Sequence, residues 1–225
     1  MISGKTVVAI ITARGGSKGL PGKNLREVAG RSLIVWTVEQ ARASKLLDRT
    51  ILSTDDEAIA AAGRSAGCDV PFIRPAELAT DSATSLDVLR HAMRQIERYD
   101  YVVMLQPTSP LRTGSDIDGA IALCVANNAP SCVSVSVSSK SPHWMFTLGS
   151  DFKLVPVLPQ TQASRRQEFP PVYVLNGAVY VTRWEHLIEG KGFFEPGTIA
   201  YQMPPERSLD IDTEFDLRLA NALMQ

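Results

Sequence analysis

The chain has 225 residues, with 23 lysines and arginines against 24 acids and a net charge of −1. That is enough for one large domain with a proper core. The near-neutral balance argues against a broad nucleic-acid surface, and no stretch reaches the roughly 18 apolar residues of a membrane span. Cys68, Cys124 and Cys132 form no CxxC pair. This argues against disulfides and a thiolate zinc site, so a soluble protein of the reducing cytoplasm is expected.

Residues 7–11 read VVAII. The run is too short for a typical helix and predicts a strand buried on both faces, as in a parallel sheet. It empties into ARGGSKGLPGKN at 13–24, and Arg14, Lys18, Lys23 and Arg26 all arrive before the first acid, Glu27. Glycines let such a loop turn tightly and approach a ligand closely. Cations on a bare loop at the carboxyl end of a strand suit a polyphosphate. At about 4 Å and an effective dielectric near 20, each phosphate–cation contact amounts to roughly 4 kcal/mol before desolvation. A Walker A loop is missed at two positions, since Ser17 stands five before Gly22-Lys23 and Asn24 follows them. The dinucleotide fingerprint Gly-x-Gly-x-x-Gly is not met either. A merely solubilising loop remains the alternative reading.

Further along, Leu33, Val35, Trp36, Val38 and Ala41 predict a helix over 32–45. A strand over 50–54 follows, then Asp55 or Asp56 capping a helix over 57–66. A second short strand is expected over 70–73, before a turn at Arg74-Pro75. Thr84 or Ser85 can cap a helix reaching Arg98. Residues 101–105 predict a core strand, 106–113 a loop, 116–128 a helix and 132–138 a strand. This alternation indicates an α/β fold with a doubly wound, mostly parallel sheet. The rhythm breaks over 139–171, which holds Pro142, Pro156, Pro159, Pro170 and Pro171. A structureless loop of that length is unusual, so this stretch reads as an extended arm that pairs with another chain. It is inserted between residues 1–138 and 172–225. A strand over 172–182, interrupted at Asn176-Gly177, and another over 198–203 close the sheet. Thr213 can cap a final amphipathic helix carrying Phe215, Leu217, Leu219 and Leu223.

In an open α/β sheet ligands collect beyond the carboxyl ends of the strands. Loops 13–24, 53–56, 74–85 and 106–113 all fall there. Residues 209–212 read LDID, and if extended they put Asp210 and Asp212 on one face. Two hard carboxylates with phosphate oxygens suit Mg²⁺. The alternative, that Asp212 caps the following helix, leaves Asp210 unexplained. His91, His143 and His186 have no partner at metal spacing, and His91 reads as a surface or packing residue. The residues alone thus point to a Mg²⁺-dependent enzyme acting on a nucleoside triphosphate.

Six blocks in order, ARGGSKGLPGKN (13–24), LSTDD (52–56), RPAELATD (74–81), LQPTSPLR (105–112), NGAVY (176–180) and LDIDTEFDL (209–217), resemble the acylneuraminate cytidylyltransferases. These are the CMP-sialic acid synthetases and their legionaminic acid relatives. The resemblance implies a Rossmann-like nucleotidyltransferase fold and transfer of CMP from CTP to the anomeric 2-hydroxyl of a nine-carbon 2-keto sugar acid, with release of pyrophosphate. By motif, Arg14, Ser17, Lys18, Lys23 and Asn24 would hold the triphosphate and cytidine. Arg74 and Ser85 would lie against the nucleotide, Gln106 and Arg166 against the sugar, and Asp210 and Asp212 on Mg²⁺. Arg14, Lys23 and Asp212 would carry the chemistry. Family members are homodimers whose arm completes the partner's sugar pocket, and 139–171 stands where that arm should be.

Two positions depart from the family pattern. Val174 replaces an arginine two residues before Asn-Gly, and Trp144 stands where a lysine is common. Both changes suit a less hydroxylated, deoxy acceptor. Rival readings are a cytidylyltransferase for the eight-carbon acid Kdo, a transferase acting on sugar 1-phosphates, and a nucleotide-binding regulatory module without catalysis.

Overall fold

The computed structural model describes residues 2–159 and 170–224. Its centre is β1 (Val7–Thr12), in which every residue from Val7 to Ile11 is fully buried. A short hairpin, β2 (Glu27–Val28) and β3 (Arg31–Ser32), leads into α1 (Leu33–Ala43), β4 (Arg49–Ser53) and α2 (Glu57–Ser65). Then come α3 (Ser85–Arg94), β5 (Tyr101–Leu105), α4 (Gly114–Ala126) and β6 (Ser131–Val137). After the small hairpin of β7 (Phe146–Leu148) and β8 (Leu154–Pro156), the chain ends with β9 (Tyr173–Arg183), α5 (Trp184–Ile188), β10 (Ile199–Gln202) and α6 (Glu214–Leu223).

The main sheet has the order β10-β6-β9-β5-β1-β4. Only β9 is antiparallel to its neighbours, β5 and β6. Side chains alternate across a strand, so β1 feeds two cores. Val7, Ala9 and Ile11 pack with Ile34 and Val38 of α1, Ile59 of α2 and Ile117 and Ile121 of α4. Val8 and Ile10 pack with Leu89 and Met93 of α3 and Trp184 and Leu187 of α5. Each buried valine, leucine, isoleucine or methionine side chain among these contributes roughly 1.5–3 kcal/mol by burial. The chain leaves β1 for β4 on one side and returns to β5 on the other. That reversal makes the carboxyl end of β1 the switch point of a doubly wound sheet.

Most expected elements form, with instructive differences. Residues 70–73 build no strand; the sheet pairing beside β4 goes no further than an isolated bridge of Ile51 to Asp69. Pro71 has no N–H to continue a ladder. The helix expected to reach Arg98 stops at Arg94, and Glu97 instead accepts from Arg49. The short α5 was not expected. At the chain's end Thr213, not Asp212, caps α6, in a reciprocal capping box with Asp216. The inner face of α6 is Leu217 and Ala220, while Phe215, Leu219 and Leu223 are exposed. Residues 139–159 hold the β7–β8 hairpin, with Phe146, Leu148, Leu154 and Val155 exposed.

The break foreseen at Asn176-Gly177 is a bulge within β9. Val133 pairs with Tyr180 but Val135 pairs with Leu175, so the intervening residues of β9 bow out of register. Buried Asn176 fills the gap: it accepts from Ser134 Oγ at 2.6 Å and donates to Ser208 Oγ at 3.0 Å. Gly177 takes a φ of +72° there, a conformation glycine adopts without penalty.

The turn before residues 209–212 is tied to α4 by a bidentate pair, Arg207 Nε and Nη2 donating to buried Asp116 at 3.0 and 2.8 Å. Asp116 also completes the Thr113 capping box of α4. Arg207 is 40% exposed and can return to water. Asp116→Ala is therefore expected to cost about 2 kcal/mol in urea unfolding, less than the loss of one partner from a fully buried pair. Burial pushes the Asp116 carboxyl up, but Arg207 and Thr113 hold it below its ordinary value. Its contribution is thus intact at neutral pH and fades only as the pH falls below the usual carboxylate range.

Candidate active site

The loop after β1 crosses the carboxyl ends of β1, β4 and β5 and is pinned by its backbone. Ala13 N donates to Ser53 O at 3.1 Å, Gly15 N to Asp55 Oδ1 at 3.1 Å, and Asn24 Nδ2 to Arg14 O at 2.8 Å. Two glycines are required by close approach. A Cβ on Gly15 would lie 2.7 Å from Asp56 Oδ2, and one on Gly19 would lie 2.8 Å from the carbonyl oxygen of Asp212. The second contact brings the first loop against the last, across nearly the whole sequence.

The segment at 209–212 is held from the other side by Ile211 N, which donates to Thr108 O at 2.8 Å. Ile211 is buried with Leu20 and Leu33, which turns Asp210 and Asp212 towards the loop. Lys23 Nζ lies 2.9 Å from Asp212 Oδ1. Asp210 is partly buried, and its Oδ1 has no hydrogen-bond partner among the described residues. Burial raises the Asp210 carboxyl above its ordinary value and neighbouring Asp212 adds to this, while Thr108 and Lys23 pull the other way.

Three adjoining clefts meet here, and Gln106 lines all of them. One, of about 240 Å³, lies between Arg14, Ser17, Lys23 and Asn24 on one wall and Asp210 and Asp212 on the other. A second, of about 320 Å³, runs over Arg14, Arg74, Asp81 and Ser85. The third, of about 340 Å³, is apolar, with Leu86, Met104, Tyr180, Phe193 and Phe194. A cation-rich cleft facing two carboxylates, beside a polar slot and an apolar pocket, can take a polyphosphate, a flat polar ring and a partly apolar second molecule. A cytidylyltransferase profile matches residues 8–175.

The chain belongs to the cytidylyltransferase family.

It is 37% identical to the CMP-N,N'-diacetyllegionaminic acid synthase of Legionella pneumophila, over 97% of this chain and 96% of that protein. It is 33% identical to the N-acylneuraminate cytidylyltransferase of Escherichia coli O18:K1:H7, over 97% of this chain but 52% of that protein. The chain thus spans about half the length of the latter. Among solved structures, a CMP:2-keto-3-deoxy-manno-octonic acid synthetase complexed with CTP matches at a TM-score of 0.74 and 19% identity, covering 97% of this chain and 98% of that one. A 4-diphosphocytidyl-2C-methyl-D-erythritol synthase from Anaerococcus prevotii matches at 0.69 and 16% identity, covering 99% of this chain and all of that one. At these identities the two structures show a shared fold.

In this cytidylyltransferase nine of the residues singled out by sequence line the two polar clefts: Arg14, Ser17, Lys23, Asn24, Arg74, Ser85, Gln106, Asp210 and Asp212. Lys18 is 80% exposed and pairs with Asp81 at 2.7 Å. Arg166 lies outside the described residues. Val174 and Trp144, the two departures from the family pattern, are 54% and 40% exposed. Several site residues were given no role from sequence. Asp81 joins Arg14 at 2.8 Å as well as Lys18, and those two cations hold its carboxyl below the ordinary value. Tyr180, Phe193 and Phe194 form the apolar cleft. Phe193 and Phe194 sit in a loop with no periodicity to mark them, and only the packing of Tyr180 on both rings, at 5.1 and 6.5 Å, reveals the pocket.

Proposed function

We propose that this cytidylyltransferase transfers CMP from CTP to the anomeric 2-hydroxyl of a nonulosonic acid of the N-acetylneuraminate or legionaminate type, releasing pyrophosphate. The observation that carries the reading is the 2.9 Å contact of Lys23 with Asp212, which joins the cationic loop and the paired carboxylates at one cleft. The names of the Legionella and Escherichia relatives support the donor and the acceptor class.

In this reading Arg14, Ser17, Lys18, Lys23 and Asn24 bind the triphosphate and the adjoining ribose. Arg74 and Ser85 line the slot for the base. Gln106 stands where the slots meet and orients the sugar acid beside the α-phosphate. Asp210 and Asp212 would hold Mg²⁺. The orphaned, buried Oδ1 of Asp210 and the two hard oxygen donors suit that ion, which keeps several waters and phosphate oxygens of its own. Mg²⁺ supplies charge neutralisation at the phosphates and lowers the cost of developing negative charge on an attacking oxygen. The chain's own residues contribute placement: rigid strands hold both substrates at bonding distance, and the fixed cations of the loop meet the charge that grows on the leaving pyrophosphate. The apolar cleft beside Gln106 accommodates methyl and N-acyl groups, and with Val174 and Trp144 it favours a deoxy acid of the legionaminate type. The exposed apolar hairpin β7–β8 suits a homodimer in which each arm reaches its partner. Three buried, unpaired thiols fit the cytoplasm.

The test is pyrophosphate release from CTP with a panel of N-acetylneuraminate, legionaminate-type acids and Kdo. Release with a nine-carbon acid supports the reading. Release with Kdo alone would favour the eight-carbon rival, and release with none a binding module. One substitution probes the closure of the cleft. Gly19→Ala puts a methyl against a backbone carbonyl that no rotamer change can move. It should lower CTP turnover by at least about tenfold while leaving the melting temperature nearly unchanged, because the loop yields rather than the core.

A further inference from the structure

The twin acids after β4 divide their labour. Asp56 is spent locally, accepting from Ala58 N and Ile59 N to cap α2. Asp55 reaches across the site instead. Its Oδ1 accepts from Gly15 N at 3.1 Å and from Arg74 Nη2 at 3.2 Å. Below it, Ser53 at the end of β4 and Thr54 just beyond it stitch the same two loops by backbone, through Ser53 O to Ala13 N at 3.1 Å and Thr54 O to Arg74 N at 2.7 Å.

Arg74 needs this partner. Its side chain is 3% exposed and its Nε has no hydrogen-bond partner among the described residues. Burial works against its charge and so does neighbouring Arg14, whereas Asp55 favours it. Two guanidinium groups are thus held near one another on the wall of one cleft, with a single carboxylate oxygen fixing one of them and the backbone beside the other. A buried cation without such a partner is costly and tends to reorient towards water.

We propose that Asp55 is a positioning residue for nucleotide binding, fixing the Arg74 guanidinium and the glycine loop relative to one another. The proposal rests on the reading of Arg74 as a nucleotide contact. On binding, Arg74 offers its remaining N–H groups already aimed, and Asp55 itself touches no substrate.

The test is a double-mutant cycle on the full chain, with kcat and the KM for CTP measured alongside thermal melting. Asp55→Asn keeps an oxygen able to accept from Gly15 but removes the charge facing Arg74. It should raise the KM for CTP about tenfold with kcat within about twofold. In an Arg74→Met background the same change should add less than about twofold, because the group it positions is gone. An equal rise in KM in both backgrounds, or no rise in the parent, would overturn the proposal. If Asp55→Asn melts below the assay temperature, Asp55→Glu, which keeps the charge but displaces it, carries the same comparison. An Arg74→Met variant with unaltered CTP dependence would instead sink the reading of Arg74, a result separate from any effect of Asp55.

Discussion

Asp212→Ala is expected to lower kcat by at least about a hundredfold, equivalent to about 2.7 kcal/mol of barrier, with the KM for CTP unchanged or lowered. The split follows from where the side chain sits. Asp212 is 71% exposed on its own account, and the cap of α6 is made by Thr213 and Asp216, so its loss leaves the fold intact. What it faces is the cleft, shared with Asp210 and with Lys23, whose side chain is only 15% exposed. Removing the carboxylate frees Lys23 for phosphate, which strengthens ground-state binding. It also takes away half of the proposed Mg²⁺ site, and that loss is felt where charge develops in the transition state. Steady-state kinetics at saturating Mg²⁺ checks this. Turnover near that of the parent would remove Asp212 from the mechanism.

Arg14→Ala should act on the other axis, raising the KM for CTP by about thirtyfold or more, the size expected for loss of a charge-assisted contact to phosphate. Arg14 lines both polar clefts and leans on Asp81, to which it donates at 2.8 Å. A triphosphate must compete with that carboxylate for Arg14 and Lys18. The loop backbone is held by Ser53, Asp55 and Asn24, whose bonds do not involve the Arg14 side chain. Alanine therefore deletes the cation without collapsing its loop. An unchanged CTP dependence would count against the cationic cradle.

How much of this was legible beforehand depended on what kind of signal each feature leaves. β1 was readable because a strand buried on both faces must be apolar throughout, and Val7–Ile11 obeys that rule. The cationic loop and the twin aspartates were readable because charge without local compensation is rare. Their meeting was expected from the chemistry they would share, but what holds it was not readable: Ile211 enters a small core with Leu20 and Leu33, and Gly19 is bare against Asp212. The segment at 70–73 misled because Val70 and Phe72 serve as packing for a loop while Ile73 is exposed: Phe72 stacks edge-on against His91 at 5.1 Å, the second of the two roles, surface or packing, expected for that histidine. Arg112 belongs to the matched block LQPTSPLR, yet nothing in its neighbours announces that it is fully buried. There it donates to the carbonyls of Gln106 and Ala178 at 3.1 and 2.8 Å. Burial lowers its pKa to about 10. Long-range carbonyl bonds of this kind leave no periodic trace in a sequence.

The most direct measurement of the central claim is a crystal structure of the protein with CTP and Mg²⁺ bound. The account predicts the triphosphate between Arg14, Lys18 and Lys23, with density for a metal touching Asp210 and Asp212. A triphosphate seated elsewhere, with the two aspartates remote from it, would contradict it.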